Sequence, residues 1–185
     1  MGITIMDRNK YRHELREWIC KTRWTNPFAI TLTMKKKFNG IWIDNIIAQN
    51  QIKNFLNRIS NKILGNNYKR RGQLQRVSTL ETKGRLHSHL FVDIPEKELS
   101  DIRSLCAATW NPKVIDYANR QQKVEKVYSV GGWVKYITKF EEDKDDIDIL
   151  NSYLDPANAT ESETSQASVL IEKVCTNGDY KNVYK

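Results

Sequence analysis

A chain of 185 residues is one domain, or one domain with an appendage, long enough to bury a real core, and no run of eighteen apolar residues that could cross a bilayer occurs in it. Its formal net charge of +8 hides an asymmetry: residues 141–185 hold eleven Asp/Glu against four Lys/Arg, which leaves residues 1–140 at +15. A body this basic points to a polyanionic partner, with a plain soluble basic protein as the alternative. Cys20, Cys106 and Cys175 are odd in number, widely spaced and free of any C-x-x-C, so they fit a reduced compartment and incidental thiols better than a disulfide or zinc framework. The first residues lack a signal-peptide apolar region, and residence inside a cell is expected.

Asp7 can cap a helix running to about Arg23, in which Tyr11, Leu15, Trp18 and Ile19 share one stripe opposite Arg8, Lys10, Arg12, Arg16 and Lys21. His13 lies off that stripe and reads as a surface histidine. Asn26-Pro27 ends the helix, and Phe28 to Met34 is a strand candidate followed by Lys35, Lys36 and Lys37. A second helix is expected from Asp44 or Asn45 to about Leu64, stopped by Gly65-Asn66-Asn67. Tyr68, Lys69, Arg70, Arg71 and Gly72 then form a basic loop that could track a phosphate backbone while the ring stacks on a base, or could be a solvated turn.

Leu74 to Glu81 and Leu86 to Ile94 both alternate as strands, and a three-residue loop Thr82-Lys83-Gly84 would make them a hairpin. In that register Glu81 faces Arg85, Thr79 faces His87, Val77 faces His89, and all of them share one face. A third helix is expected over Glu96 to Trp110, ended by Asn111-Pro112, then strands at Val114 to Tyr117 and Val124 to Tyr128. Ser129 can cap a last helix reaching Phe140. Beyond it lie the acidic run Glu141 to Asp146, the polar stretch Pro156 to Ser168 and the short apolar Val169 to Ile171, for which partial order is expected. This order of elements predicts an α+β fold: a mostly antiparallel central sheet of about five strands, with helices on one face and the histidine face open.

Two imidazoles and a carboxylate on a rigid hairpin, His87, His89 and Glu81, can hold a divalent ion with open coordination positions; two surface histidines beside a solvated Glu are the plain alternative. Such an ion would neutralise a non-bridging phosphate oxygen. The histidines tilt the expectation towards Mn²⁺, with Mg²⁺ as the oxygen-preferring alternative. Tyr136 is the candidate nucleophile, and Lys139, three residues on, neighbours it on a helix. Trp133, Tyr136, Ile137 and Phe140 also have the spacing of a packed stripe, so periodicity alone favours core packing for Tyr136.

Phe28 to Met34, His87-Ser88-His89 and Tyr136-Ile137-Thr138-Lys139, in that order, resemble the three motifs of the HUH endonuclease superfamily, in its single-tyrosine replication-initiator (Rep) branch. The resemblance covers about residues 25–140, with 1–24 as a basic N-terminal helix packing on the core and 141–185 as an acidic tail. It implies His87 and His89 as ligands of a divalent ion (Mn²⁺ or Mg²⁺) with Glu81 as third ligand, Tyr136 as the residue that becomes joined to a 5′ phosphate, and Lys139 as its helper. It further implies a single-stranded or hairpin origin DNA as substrate, with rolling-circle replication of a plasmid, phage or virus as the outcome. Host helicase and polymerase would be partners, with no membrane, in the cytoplasm of a prokaryote or infected cell. Lys35, Lys36, Lys37, Tyr68, Lys69, Arg70, Arg71 and Arg85 are the candidate DNA contacts. The chain departs from the family at Ser88, where a bulky apolar residue is usual, and has no G-x-x-x-x-G-K-[ST], so an attached ATP-driven helicase is not expected. A single-strand transposase or relaxase would share the same residues. A non-catalytic RNA- or single-strand-binding module would not need them, although the RNP1 pattern of the RNA-recognition motif is missing.

Overall fold

Alternating strands and apolar-striped helices assemble into an α+β fold, seen in a computed structural model whose described residues are 8–66, 68, 72–110, 123–139, 146–148 and 151–155. The chain divides into two units, Trp24–Leu154 and a second made of Met1–Arg23 with Asp155–Lys185. In the second, helix α1 (Arg8–Lys21) carries exposed i,i+4 pairs, among them His13 Nε2 to Glu17 Oε1 at 3.5 Å, which bears out His13 as a surface residue. Among the described residues no helix is long and apolar enough to cross a membrane.

In the larger unit the elements run β1 (Pro27–Thr33), β2 (Lys37–Phe38), β3 (Ile41–Trp42), α2 (Asn45–Leu64), β4 (Arg76–Glu81), β5 (His87–Asp93), α3 (Leu99–Thr109), β6 (Lys123–Lys126), α4 (Val130–Ile137) and β7 (Asp146–Ile147). Five strands form one antiparallel sheet in the order β6-β1-β5-β4-β7. Phe28, Ile30 and Leu32 of β1 and Leu90 and Val92 of β5 project from one face into a core shared with Ile52, Phe55, Leu56 and Ile59 of α2 and Ile102 and Cys106 of α3. Burial pushes the Cys106 thiol up to about 12, so it is an inert core group. Asp44 caps α2 by accepting from the Ile47 N–H at 2.8 Å, and Gly65 ends it at φ 80°, a left-handed conformation that glycine adopts without strain.

Several expectations need correction. The β4–β5 hairpin pairs Glu81 with His87 and Thr79 with His89, two residues away from the expected register, so its loop is residues 82–86 and Arg85 does not oppose Glu81. Gly84 does take the left-handed position, at φ 75°. A shift of two keeps every side chain on its original face, so the histidine face survives the error. Helices are not confined to one face: α4 lies over the histidine face, bringing Tyr136 onto His89. It stops at Ile137, so Lys139 follows the helix instead of riding on it. Helix α3 starts only at Leu99, because Glu96 adopts φ 58° after Pro95. The expected strand Val114 to Tyr117, Phe140 and the segment from Pro156 onward lie outside the described residues.

The sheet also runs on past residue 140. Ile147 pairs with Thr79, and Tyr153 bridges Arg76. Asp148 thereby faces Ser78 in a buried polar seam, where its carboxylate takes hydrogen bonds from Asn151 Nδ2 (2.6 Å), Ser78 Oγ (3.4 Å) and Gln49 Nε2 (3.4 Å). Burial pushes this carboxyl above the usual range, against the pull of those donors. Ser88 has its hydroxyl 3.5 Å from that of Ser78 in the same seam. Asp148→Ala would strand these donors, and we expect it to lower the unfolding free energy by about 1–3 kcal/mol. An unchanged urea midpoint would show that the seam does not hold the last strand.

Candidate active site

Strand alternation puts Thr31 and Thr33 of β1, Thr79 and Glu81 of β4, and His87 and His89 of β5 on one face, since directly opposed residues point the same way: Thr33 opposes His87, and Thr31 opposes His89. Thr33 Oγ1 lies 2.9 Å from His87 Nδ1, and Thr31 Oγ1 lies 3.2 Å from His89 Nδ1. Each ring is thus held from behind, with Nε2 as its remaining nitrogen. His89 Nε2 donates to Glu81 Oε2 at 3.1 Å, and Lys139 Nζ sits 3.3 Å from Glu81 Oε1. A threonine hydroxyl both donates and accepts, so it fits either imidazole tautomer: Thr31 donates while His89 Nε2 holds the proton, and would accept were Nε2 to serve as a ligand.

The electrostatics follow from burial. His89 is buried and His87 half-buried, and desolvation holds both below the ordinary histidine range although Glu81 pulls each upward. Both rings are therefore neutral at neutral pH and can offer a lone pair. Burial raises the Glu81 carboxyl, but the hydrogen bonds from His89 and Lys139 and the Lys139 charge outweigh it, and the group lies below its usual value.

Tyr136 completes the site. Its ring meets the His89 ring edge-on at 5.3 Å between centroids, Trp133 packs against it at 5.1 Å, and Lys139 Nζ is 5.3 Å from its centre. The stripe that α4 buries is Val134 and Ile137, whereas Tyr136 is 47% exposed, which removes the core-packing reading of that tyrosine. Ser129 starts the helix by accepting from the Gly132 N–H at 3.3 Å, as expected. Tyr136, His87, His89, Glu81, Lys139 and Thr31 line one cleft of about 320 Å³, joined by Lys83 and Lys123.

Two neutral imidazoles and a carboxylate, backed by hydroxyls that fix the rings, have the donor chemistry of a first-row divalent ion site. Among the described residues no three His, Cys, Asp or Glu side chains form a ready-made ion-holding group. The Glu81 oxygens are engaged by His89 and Lys139, so taking an ion means exchanging those partners. We expect Thr33→Val to weaken Mn²⁺ binding by about 10- to 100-fold, as losing a hydrogen bond behind a ligand ring does. Equal Mn²⁺ titrations of variant and parent would show that the hydroxyl does not position the ring.

The other candidate residues divide. Tyr68 is buried, with 7% exposure, so its ring cannot stack on a base. Lys69, Arg70 and Arg71 lie outside the described residues. Lys36 and Lys37 are exposed, and Lys35 and Arg85 are partly so. Sequence reasoning missed Thr31, Thr33, Lys123 and Trp133 as parts of the site. Thr31 and Thr33 had a signal, being the two polar residues of an otherwise apolar strand at the same two-residue spacing as the histidines. Comparison with protein-family models, curated proteins and solved structures returned no match.

Proposed function

We propose that this chain is a metal-dependent, site-specific nickase and joining enzyme for single-stranded DNA, of the single-tyrosine HUH replication-initiator type. The observation that carries this reading is the half-exposed Tyr136 ring against His89, in a cleft shared with His87, Glu81 and Lys139. The Tyr136 hydroxyl attacks phosphorus; the new O–P bond forms as the P–O3′ bond breaks, and the proton given up by the phenol is balanced by the one gained by the 3′ oxygen. The products are a 5′ phosphate esterified to Tyr136 and a free 3′ hydroxyl, and attack by a 3′ hydroxyl on that ester rejoins the strand. His87, His89 and Glu81 would hold a divalent cation, Mn²⁺ or Mg²⁺, which when bound would supply positive charge to the phosphate oxygens. Lys139, released from Glu81, stands beside the phenol to stabilise its charged form. Origin DNA, single-stranded or extruded as a hairpin, is the substrate; host helicase and polymerase extend the 3′ end in the cytoplasm.

The test is incubation with 3′-end-labelled single-stranded DNA from the element that encodes the chain, with Mn²⁺ or with EDTA, followed by a denaturing gel. Metal-dependent cleavage with label retained on protein is expected. Binding that is equally tight in EDTA, with an intact strand, would instead assign a non-catalytic binding module.

A further inference from the structure

The chain leaves the histidine end of the sheet through a small ribbon that the catalytic reading does not use. Thr33, opposite His87, is the last residue of β1; the Met34 N–H donates to Leu86 O at 2.8 Å, and Lys35, Lys36 and Lys37 follow directly. Strands β2 and β3 then pair Lys37 with Trp42 and Phe38 with Ile41 around an Asn39-Gly40 turn in which both residues have positive φ, 49° and 80°. The Ile43 N–H closes the base of the ribbon on Lys36 O at 3.0 Å, and Phe38 packs on the core.

Its outer surface is another matter. Trp42 is 63% exposed and Ile41 65%, and Lys37 Nζ lies 4.4 Å from the Trp42 ring centre. An exposed indole flanked by consecutive lysines has the two ingredients of a sequence-tolerant single-strand platform: a π-face for a base and charge for its phosphates. Lys37 lies four residues beyond Thr33, so the ribbon begins at most roughly 14 Å from the residue that holds His87.

We infer that the β2–β3 ribbon is a second DNA contact, on which a base of the single strand stacks on Trp42 and its phosphates lie on Lys36 and Lys37. This rests on the single-strand DNA reading above and assigns to that substrate a platform distinct from the cleaving cleft. Placed there, it holds the strand a short distance from the scissile phosphate and supplies affinity that does not depend on metal.

The test uses the full chain carrying Tyr136→Phe, in EDTA, with a fluorescent single-stranded oligonucleotide read by anisotropy over a range of salt. Trp42→Ala is expected to weaken binding about tenfold with an unchanged salt slope, and Trp42→Phe to keep most of the affinity, since a ring remains. Lys36→Ala with Lys37→Ala is expected to flatten the slope of log K against log salt by about 1.4. If Trp42→Ala binds within about twofold of its parent, the ribbon assignment falls while the enzyme reading stands. An equal loss on duplex of the same sequence would also overturn it, because stacking needs an unpaired base. A parent that does not bind single strands would overturn both.

Discussion

Tyr136→Phe is expected to abolish the covalent protein–DNA adduct and to lower strand cleavage by about 10⁴-fold or more, while leaving DNA affinity and metal binding within about twofold. The substitution removes one oxygen and keeps the ring, so the edge contact with His89 at 5.3 Å and that with Trp133 at 5.1 Å persist. A helix fault therefore cannot explain lost activity, and the half-exposed position makes the variant safe to fold. Normal cleavage by this variant would end the nucleophile assignment and send the search to other residues lining the cleft.

His87→Ala is expected to raise the Mn²⁺ concentration needed for half-maximal cleavage by at least about 100-fold, more than the loss of the hydroxyl behind the ring. His87 is the better probe of the two histidines. His89 is buried and packs on Tyr136, so its removal would disturb the nucleophile together with the ligand, whereas His87 is only half-buried. Metal binding can be read without DNA, by Mn²⁺ paramagnetic resonance, which separates a lost ligand from a lost reaction. Unchanged Mn²⁺ binding alongside lost cleavage would mean that His87 acts on substrate and not through an ion.

Much of the sheet and the site was legible because alternation and capping are local. The period of two in β5 placed His87 and His89 on one face, and Asp44, Gly65 and Ser129 marked helix ends that hold in the structure. Register was not local: a loop of three or of five residues is equally compatible with Gly84 in a left-handed turn, and cross-strand packing chose the longer one. The phase of α4 was ambiguous for a related reason. Val134 and Ile137 compete with Trp133 and Tyr136 as the apolar stripe of so short a helix, and only the sheet beneath selects which pair is covered. The Asn39-Gly40 turn was a readable hairpin signal, masked by flanking strands of two residues each. Asp148 was not legible at all, because an acidic composition around it argues for solvent while Ser78, Gln49 and Asn151 give it buried partners.

The most direct measurement of the central claim is peptide mapping of protein incubated with single-stranded origin DNA and Mn²⁺, digested with protease and nuclease and read by mass spectrometry. A nucleotide joined through its 5′ phosphate to the peptide containing Tyr136, and absent when EDTA is present, is the predicted result. A modification on another tyrosine, or cleaved DNA with no protein-linked nucleotide, would contradict it.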